Sequence, residues 1–374
     1  MRGHAVVLAI ASVFAFIAGC LRPASGAPLY RVEALAPSER GDGEARAINV
    51  AGDVAGRFDG SAFVWHAGAM TRIPAQRSFS LGDAFSSIAT AIARDGTAAG
   101  HDGEYIPCSM SGLELASAVR FAHGEMSFVD RSRDGECSFE VDGMNDFGTL
   151  VGESGYRGFV RFANGREIVV RPLSTRPEYN GTRATAIDNE GHVVGGTTIN
   201  VPPIGRPYAS NDEAYVIHAF FLTLDGDAQR MRDLGAIPGF RNTYATALNE
   251  DGVVVGYSGT TSGAKWTRVS GPSHAWVWQR GRMTDLGAGI IGDTFAYGIN
   301  DASVIVGCAG KNAVRWMNKR MEDINAIIDR RSGWHVKCAR AINRSGMIAA
   351  IATHGGKSLP VRLVPIHHER DPAI

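Results

Sequence analysis

Short apolar runs separated by glycine-containing turns recur along most of the chain and predict a protein built from strands. One nine-residue phrase begins with an apolar residue followed by Asn or Asp. After two variable residues comes a Gly, and after three more variable residues comes a second Gly. Its seven copies, 43 to 61 residues apart, begin at Ile48, Ile92, Met144, Ile187, Leu248, Ile299 and Ile342. Three copies depart from the phrase at one position each, through Ala93, Ser303 and Ala350. A period of this length predicts a solenoid, a propeller or an array.

The phrase itself predicts a hairpin. An Asn or Asp at the first turn position can bond its own backbone two residues on, and Gly three residues later supplies the dihedral that closes the turn. Residues 183–187 and 192–195, on the two sides of the fourth copy, have the composition of strands.

Two further strand-like runs follow each turn, so that one repeat offers four strands, a to d. The second run is aromatic and β-branched, as in residues 62–65 and 275–278, and the third resembles residues 283–286. The seventh repeat lacks strand d, whereas residues 29–35 precede the first repeat with the spacing of a strand d. The pattern therefore predicts an all-β, seven-bladed propeller over residues 29–366, with its last blade closed by the N-terminal strand.

Several of these runs resemble a known family. Residues 217–220 (IHAF), 273–276 (SHAW), 283–287 (MTDLG) and 296–300 (AYGIN) are similar to motifs of the HAF family of extracellular bacterial repeat proteins. The resemblance covers nearly everything after the N-terminal segment and implies export and a repeat β fold. It implies no activity, ligand or catalytic residue, and repeats 2, 3, 6 and 7 lack the family's histidine.

The first residues predict an export signal. Arg2 precedes a 14-residue apolar stretch over residues 5–18, which is too short to span a bilayer and is typical of a signal peptide. The sequence Ile17-Ala18-Gly19-Cys20 is similar to a bacterial lipobox, so we expect a signal peptide over 1–19 and lipidation of Cys20. The alternative is cleavage after residues 24–26, which leaves Ala27 first.

The remaining boundaries and the location follow from that segment. Residues 20–28 form a short linker and residues 367–374 a C-terminal tail. Leu21, not being Asp, favours sorting to the outer membrane by the usual bacterial rule. We expect an exported protein, either an outer-membrane lipoprotein or a periplasmic, cell-surface or secreted one, whose only membrane contact is a lipid anchor.

Composition excludes some classes of partner. The chain has 38 basic and 38 acidic residues and a pI near 7.2, so no global basic field is available for nucleic acid. Hydrophobic residues make up 44% of the chain, enough for a sizeable core. We expect a monomer.

The cysteines predict two disulfides. Apart from Cys20, the chain contains Cys108, Cys137, Cys308 and Cys338, an even number in an oxidising compartment. In the repeat, Cys108 and Cys308 fall in b–c loops, and Cys137 and Cys338 in the crossings to the following blades. Because the two pairs occupy corresponding places, we predict Cys108–Cys137 and Cys308–Cys338; the alternative is four free thiols.

Long loops predict which face binds. In a propeller the b–c loops and d–a crossings share one face, and here the long insertions 101–116, 197–217 and 258–273 all fall in b–c loops. Insertions on one face of a repeat array are typical of a binding face. Candidate ligand-binding residues there are Tyr105, Tyr208, Asp212, Tyr215 and Trp266, with Glu213, Lys265 and Arg268 beside them. The alternative is that the insertions have no binding role.

Catalytic motifs are absent from the sequence. No nucleophile elbow, P-loop, zinc motif or EF-hand loop occurs, and we predict no catalytic residue, metal or cofactor. His218 and His274 share one repeat phase, which favours a structural role. The leading hypothesis is a non-enzymatic propeller that binds a protein or polysaccharide at the cell envelope. The alternative is a glycan hydrolase or lyase with acidic residues near the central channel.

Overall fold

The chain folds into seven four-stranded antiparallel sheets. The computed structural model describes residues 27–36, 41–74, 87–103, 117–129, 139–175, 181–200, 216–262 and 269–366. The strands are β1 (Tyr30–Ala34), β2 (Gly43–Ile48), β3 (Val54–Phe58), β4 (Ser61–His66), β5 (Ala69–Ile73), β6 (Ser87–Ile92), β7 (Ala98–Asp102), β8 (Ser117–Ala122), β9 (Glu125–Phe128), β10 (Phe139–Met144), β11 (Leu150–Ser154), β12 (Arg157–Arg161), β13 (Glu167–Val169), β14 (Thr182–Ile187), β15 (Val193–Thr198), β16 (Ile217–Asp225), β17 (Ala228–Asp233), β18 (Asn242–Leu248), β19 (Val254–Ser262), β20 (Val269–Gln279), β21 (Arg282–Asp285), β22 (Thr294–Ile299), β23 (Ile305–Ala309), β24 (Asn312–Met317), β25 (Arg320–Asp323), β26 (His335–Ile342), β27 (Ile348–His354) and β28 (Lys357–Pro365). Two 3₁₀ turns lie at Ile324–Ala326 and Arg330–Ser332. Within the described ranges, no helix has the length and apolarity needed to cross a membrane.

The seven sheets are the blades of a closed propeller. The first strand of each sheet (β2, β6, β10, β14, β18, β22 and β26) contacts the first strand of the next, and β26 contacts β2 in turn. These strands a therefore line a central channel, and strands b, c and d follow outward. The predicted fold class is confirmed.

The N-terminal strand completes the seventh blade, as predicted. Strand β1 is the outer neighbour of β28, with Tyr30 opposite Pro365 and Ala34 opposite Val361. The Arg362 guanidinium holds the Glu33 carboxylate at 2.8 Å across this pair of strands. The two ends of the described chain thus meet in one sheet, where β1 covers the outer edge of β28.

The hydrophobic core lies between neighbouring blades. Ala55 and Ile73 of the first blade pack with Ala89, Val119 and Phe121 of the second, all of them buried. Similar clusters join the other blades. A blade therefore cannot bury its apolar faces alone, as expected for a repeat fold.

The Asn of the repeated turn has two hydrogen-bonding partners. Its side-chain oxygen accepts from the backbone N–H four residues on, as from Val253 to Asn249 at 2.9 Å. This corrects the expectation of a bond two residues on, which occurs only as an addition at Asn145, where Phe147 N–H donates at 3.1 Å. The reason is that Gly at the fourth position, such as Gly252 with φ +68°, turns the chain back and brings the fifth N–H over the side chain.

The amide group of the same Asn reaches the next blade. Asn249 Nδ2 donates to the Asn300 carbonyl at 3.1 Å, and Asn49, Asn145, Asn300 and Asn343 make the equivalent bond. Asn343 donates to the Asn49 carbonyl at 2.9 Å and so joins the last blade to the first. The turns form a ring of hydrogen bonds around one mouth of the channel.

Two turns lack the donor and are linked by the following residue instead. Ala93 has no amide, but Arg94 N–H donates to Asp146 Oδ1 at 2.9 Å. Asp188 has no amide either, and Asn189 Nδ2 donates to Glu250 Oε1 at 3.0 Å. Each neighbouring pair of blades at these positions therefore keeps a polar link.

The second Gly of the phrase is required by close packing of strands a and b. A Cβ at Gly195 would lie against the Arg183 carbonyl oxygen, and the equivalent glycines meet the equivalent carbonyl. The seventh blade has Ala350 at this position, and there the register of β26 against β27 shifts once more, between Val336 and Cys338.

Strands in blades 5, 6 and 7 extend further than the sequence predicted. Residues 258–262 and 269–273, assigned to a loop, belong to β19 and β20, because their backbone groups find partners across the hairpin. Cys308 and Cys338, assigned to a loop and a crossing, lie in β23 and β26. Their pairing is nevertheless confirmed: the two buried residues form a disulfide between blades 6 and 7, with Cα atoms 4.9 Å apart.

Replacing Asn343 with Asp tests the ring of turn hydrogen bonds. Asp keeps the oxygen that accepts from Met347 N–H (2.9 Å) but loses the donor to the Asn49 carbonyl. We expect Asn343→Asp to lower the free energy of unfolding by about 1–3 kcal/mol, since a buried carbonyl loses its partner. Urea denaturation measures the difference. In the matched control, Asn164→Asp at an exposed turn where only the side-chain oxygen is used, little should change; an equal loss in both variants would contradict the role of the ring.

Candidate functional site

The propeller has two unlike faces. One, the turn face, carries the a–b and c–d turns. The other, the insertion face, carries the b–c connections and d–a crossings, and the strands that flank the three long insertions end there. The predicted ligand-binding residues Tyr105, Tyr208, Asp212, Tyr215 and Trp266 lie outside the described residues. So do Cys20, Cys108 and Cys137.

Near the insertion face, three positions of the repeat carry side chains that differ from blade to blade. Two lie on strand a, at the positions of Arg183 and Thr185, and one on strand b, directly after the second Gly. The strand b position pairs with the first strand a position: Glu44 faces Arg57, Glu140 faces Glu153, and the other blades match. Since strand a lines the channel, these positions together form a ring around it.

Blades 7 and 1 contribute an arginine cluster, which consists of Arg46, Arg57 and Arg340 around Glu44. The Glu44 carboxylate lies 2.8 Å from Arg46, 3.6 Å from Arg57 and 3.9 Å from Arg340. Burial alone would raise the pKa of Glu44, but the three guanidiniums outweigh it and hold the pKa below its usual value. One carboxylate therefore faces three permanent positive charges.

Blades 3 and 4 contribute a carboxylate cluster, which consists of Glu140, Asp142 and Glu153 around Arg183 and therefore has an excess of negative charge. Arg183 binds both oxygens of Asp142 at 2.6 Å and lies 2.9 Å from Glu140 and 3.2 Å from Glu153. Three carboxylates therefore share one guanidinium, and Glu140 and Glu153 are direct cross-strand partners, an arrangement that like charges disfavour.

Crowding and burial shift the titration of this cluster. Burial raises the pKa of Glu153 to about 7, helped by the charges of Asp142 and Glu140 and opposed by Arg183. The pKa of Asp142 is also raised, chiefly by burial. His101 of the second blade has its pKa lowered to about 4, by burial and by the cations Arg183 and Arg46 among others, so it is neutral at physiological pH.

Blades 5 and 6 contribute an aromatic wall. Tyr244, Tyr257, Phe295 and Tyr297 contact one another in sequence, with ring centroids 5.2 to 6.3 Å apart. The Arg340 guanidinium lies over the Tyr297 ring at 4.5 Å and connects the wall to the arginine cluster.

Several buried polar atoms of this ring have no hydrogen-bond partner among the described residues. They are Nε of Arg46, Nε of Arg340, Nδ1 of His101 and the hydroxyl of Tyr244. Buried polar groups are nearly always satisfied in folded proteins. These four atoms lie around one mouth of the channel, and further unsatisfied buried atoms occur elsewhere in the described chain, such as Nε1 of Trp276 and Trp316.

A cavity of about 1300 Å³ opens at this mouth across blades 6, 7 and 1. Its lining includes Glu44, Arg57 and Arg340 together with Phe295 and Tyr297, and the Cys308–Cys338 disulfide. Basic side chains continue along it at Lys311, His335, Lys337 and Lys357, whereas Asp42 and Asp59 are its other acids. The cavity is therefore concave and wide, and its lining holds more cationic than acidic side chains, with two aromatic rings among them.

The opposite mouth of the channel, on the turn face, is narrow, and charged side chains there form ion pairs with one another. A cavity of about 210 Å³ lies among the turns there. Asp146 pairs with Arg94 at 3.1 Å and Asp301 with Arg344 at 2.8 Å. Burial and the charges of Asp188 and Asp301 raise the pKa of Glu250. These residues join neighbouring blades, so their role is structural.

The repeated histidines pair with the repeated aspartates, an arrangement compatible with the structural role that the sequence predicted. His218 Nδ1 lies 2.9 Å from Asp233, and His274 Nδ1 lies 2.9 Å from Asp285. The same carboxylates accept from backbone N–H groups two residues on, as Asp285 does from Gly287 at 2.7 Å. They fix the end of strand d. Over the described ranges, no group of His, Cys, Asp and Glu is arranged to hold a metal ion.

Sequence reasoning missed the ring, although a signal was present. The repeated phrases end one residue before the strand b position and skip the strand a positions, so the variable side chains between them went unnoticed. At the second of the two strand a positions, three blades have the same residue, a threonine: Thr90, Thr185 and Thr246. Arg46, Asp142, Tyr297 and Arg340 replace them elsewhere, and these departures mark the site.

Comparisons with known proteins agree on the fold. Neither a protein-family model nor a curated protein matches the sequence. Virginiamycin B lyase from Staphylococcus aureus is similar in structure, with a TM-score of 0.52 at 10% identity over 90% of this chain and 100% of that one. The propeller domain of the trilobed protease from Pyrococcus furiosus, which has an open velcro topology, gives a TM-score of 0.50 at 8% identity over 90% and 98%. At such identities the likeness shows the propeller fold alone.

Replacing Glu153 with Gln tests the carboxylate cluster through pH. An unfolded chain releases this proton near pH 4.5 and the folded chain near pH 7, so the free energy of unfolding should fall over that interval, by on the order of 3 kcal/mol. Glu153→Gln should remove this part of the fall. Between pH 5 and pH 8 the free energy of unfolding of the variant should therefore rise relative to that of the natural protein. Urea denaturation at both pH values measures it. Glu125→Gln, on the exposed outer strand β9, is the control and should run parallel to the natural protein.

Proposed function

We propose that the protein is an exported propeller that binds a saccharide of the cell envelope at the insertion-face mouth of its channel. The supporting observation is the cavity of about 1300 Å³, lined by charged and aromatic side chains from three blades. A concave surface with stacking rings and convergent polar groups suits a chain of sugars, whose hydroxyls and C–H faces need both. Tyr297 and Arg340 of the lining stand where the repeat places a threonine in other blades, so the repeat does not account for them.

A propeller that cleaves the saccharide is the second candidate. The carboxylate cluster favours it, since Glu153 is buried, has a pKa near neutrality and lies beside Arg183. A carboxylic acid of this kind suits general acid–base catalysis at neutral pH. Burial raises the pKa of the Tyr244 hydroxyl, which has no hydrogen-bond partner in the described chain, and the charges of Asp142 and Glu153 add to this while Arg183 opposes it.

Replacing Tyr297 with Ala tests the binding site. On an array of envelope glycans, the purified protein should bind a defined subset, and Tyr297→Ala should weaken that binding at least tenfold because it removes a stacking face and the support of Arg340. Phe147→Ala removes an aromatic ring that is 69% exposed on the turn face and should leave binding unchanged. If Phe147→Ala abolished binding and Tyr297→Ala did not, the ligand would bind on the turn face, which contradicts a site on the insertion face.

The same incubation separates binding from cleavage. Mass spectrometry of the bound glycan after prolonged incubation should show it intact if the protein only binds. Shortened products that disappear with Glu153→Gln, while binding persists, would establish the enzyme instead.

Export is proposed from the N-terminal segment and the resemblance to the HAF family. Cys20 would carry a lipid and anchor the propeller, and the disulfide between Cys308 and Cys338 is compatible with an oxidising compartment. Mass spectrometry of the mature N-terminus should find a diacylglycerol on Cys20. An unmodified start at Ala27 would show secretion without an anchor.

A further inference from the structure

We propose that the arginine cluster is a subsite for an oxyanion of the ligand, so that the bound saccharide is acidic and carries carboxylates or sulfate esters. The inference deepens the proposed function and rests on it. It comes from the position, charge and hydrogen-bonding state of Arg46, Arg57 and Arg340.

The cluster carries more positive charge than the described residues neutralise. Only Glu44 among the described residues lies within ion-pair distance of these guanidiniums, at 2.8, 3.6 and 3.9 Å. Burial and the charge of Arg46 lower the pKa of Arg340, a sign of repulsion between like charges. Arg nevertheless stays protonated in proteins, so the excess charge persists.

The donors of the cluster are held in place, and Arg57 and Arg340 line the cavity. The side chain of Arg340 is 20% exposed and is fixed over the Tyr297 ring at 4.5 Å. The Nε atoms of Arg46 and Arg340 lack partners within the described chain but are buried, so they are not the atoms offered to a ligand. Guanidinium groups present several N–H donors in a plane, which fits the two oxygens of a carboxylate or sulfate.

The surroundings favour an anion on a sugar chain over a small isolated ion. The cluster opens into the cavity of about 1300 Å³, far larger than one ion needs, and Phe295 and Tyr297 lie in the same lining. Lys311, Lys337 and Lys357 continue the positive charge along the cavity. A polymer with repeated acidic groups would contact these lysines and the arginine cluster together.

Calorimetric titration of the purified full-length protein tests the inference. The three probes are an oligogalacturonate, a sulfated dextran oligosaccharide and a neutral dextran oligosaccharide of equal length. At least one acidic probe should bind about tenfold or more tightly than the neutral one, and added salt should weaken it. Tighter binding of the uronate identifies a carboxylate as the natural anion; tighter binding of the sulfated probe identifies a sulfate ester.

Variants assign the effect to the cluster. Arg340→Gln and Arg57→Gln should each weaken acidic binding about tenfold, as expected for loss of a charge-assisted bond. Arg57 is 43% exposed, so its variant carries the test if Arg340→Gln fails to fold. Glu44→Gln should tighten acidic binding severalfold, because it removes the internal competitor, whereas a purely structural ion pair would give no gain. Arg344→Gln, a paired arginine at the opposite mouth, is the control and should have no effect.

The outcomes distinguish this inference from the proposed function. Equal binding of neutral and acidic probes, or acidic binding unchanged by both arginine variants, overturns the oxyanion subsite and leaves a saccharide-binding propeller. Absence of binding to all three probes overturns both.

Discussion

The fold depends on hydrogen bonds between the a–b turns of neighbouring blades. One side chain, such as that of Asn249, closes its own turn with its oxygen and joins the next blade with its nitrogen. The turn that shapes a blade therefore also links that blade to the next one, and a single side chain must make both hydrogen bonds. A ring of such joints closes only when the last turn reaches the first, which Asn343 does at Asn49. Strand β1 makes the corresponding closure at the outer edge of blade 7.

Hydroxyl groups repeat this principle nearer the insertion face. Thr185 Oγ1 donates to the Ala245 carbonyl of the next blade at 2.9 Å, and Thr246 donates to Ala296 at 2.8 Å. Where Arg46, Asp142 or Arg340 replaces this threonine, the position makes no such bond to the next blade among those the described residues show. Asp142 instead joins blade 3 to blade 4 through its ion pair with Arg183, so each of these three departures places a charge at the channel, with or without a joint between blades. The positions that differ from the repeated threonine therefore mark the candidate site without any comparison with other proteins.

The sequence predicted the architecture because the architecture is repeated. Seven copies of one turn, and a spare strand at residues 29–35, were enough to predict blade number and closure. The Cys308–Cys338 bridge followed from the same repeat, although both residues lie in strands that extend further than expected. The channel site could not be found in this way, since its residues are defined by differing from the repeat. Glu44 meets Arg340, and Glu153 meets Arg183, because the blades that carry them are adjacent in space.

The two charged clusters of the ring differ in how they can relieve their repulsion. The carboxylates around Arg183 can hold a proton, and the pKa of Glu153, raised to about 7, is the expected consequence. Guanidiniums cannot release a proton at any physiological pH, so the cluster at Glu44 has no such internal remedy. Among the described residues, Glu44 is the one carboxylate that offsets this repulsion. In the proposed subsite a bound anion offsets the remainder, and the wide cavity opens on this side of the ring.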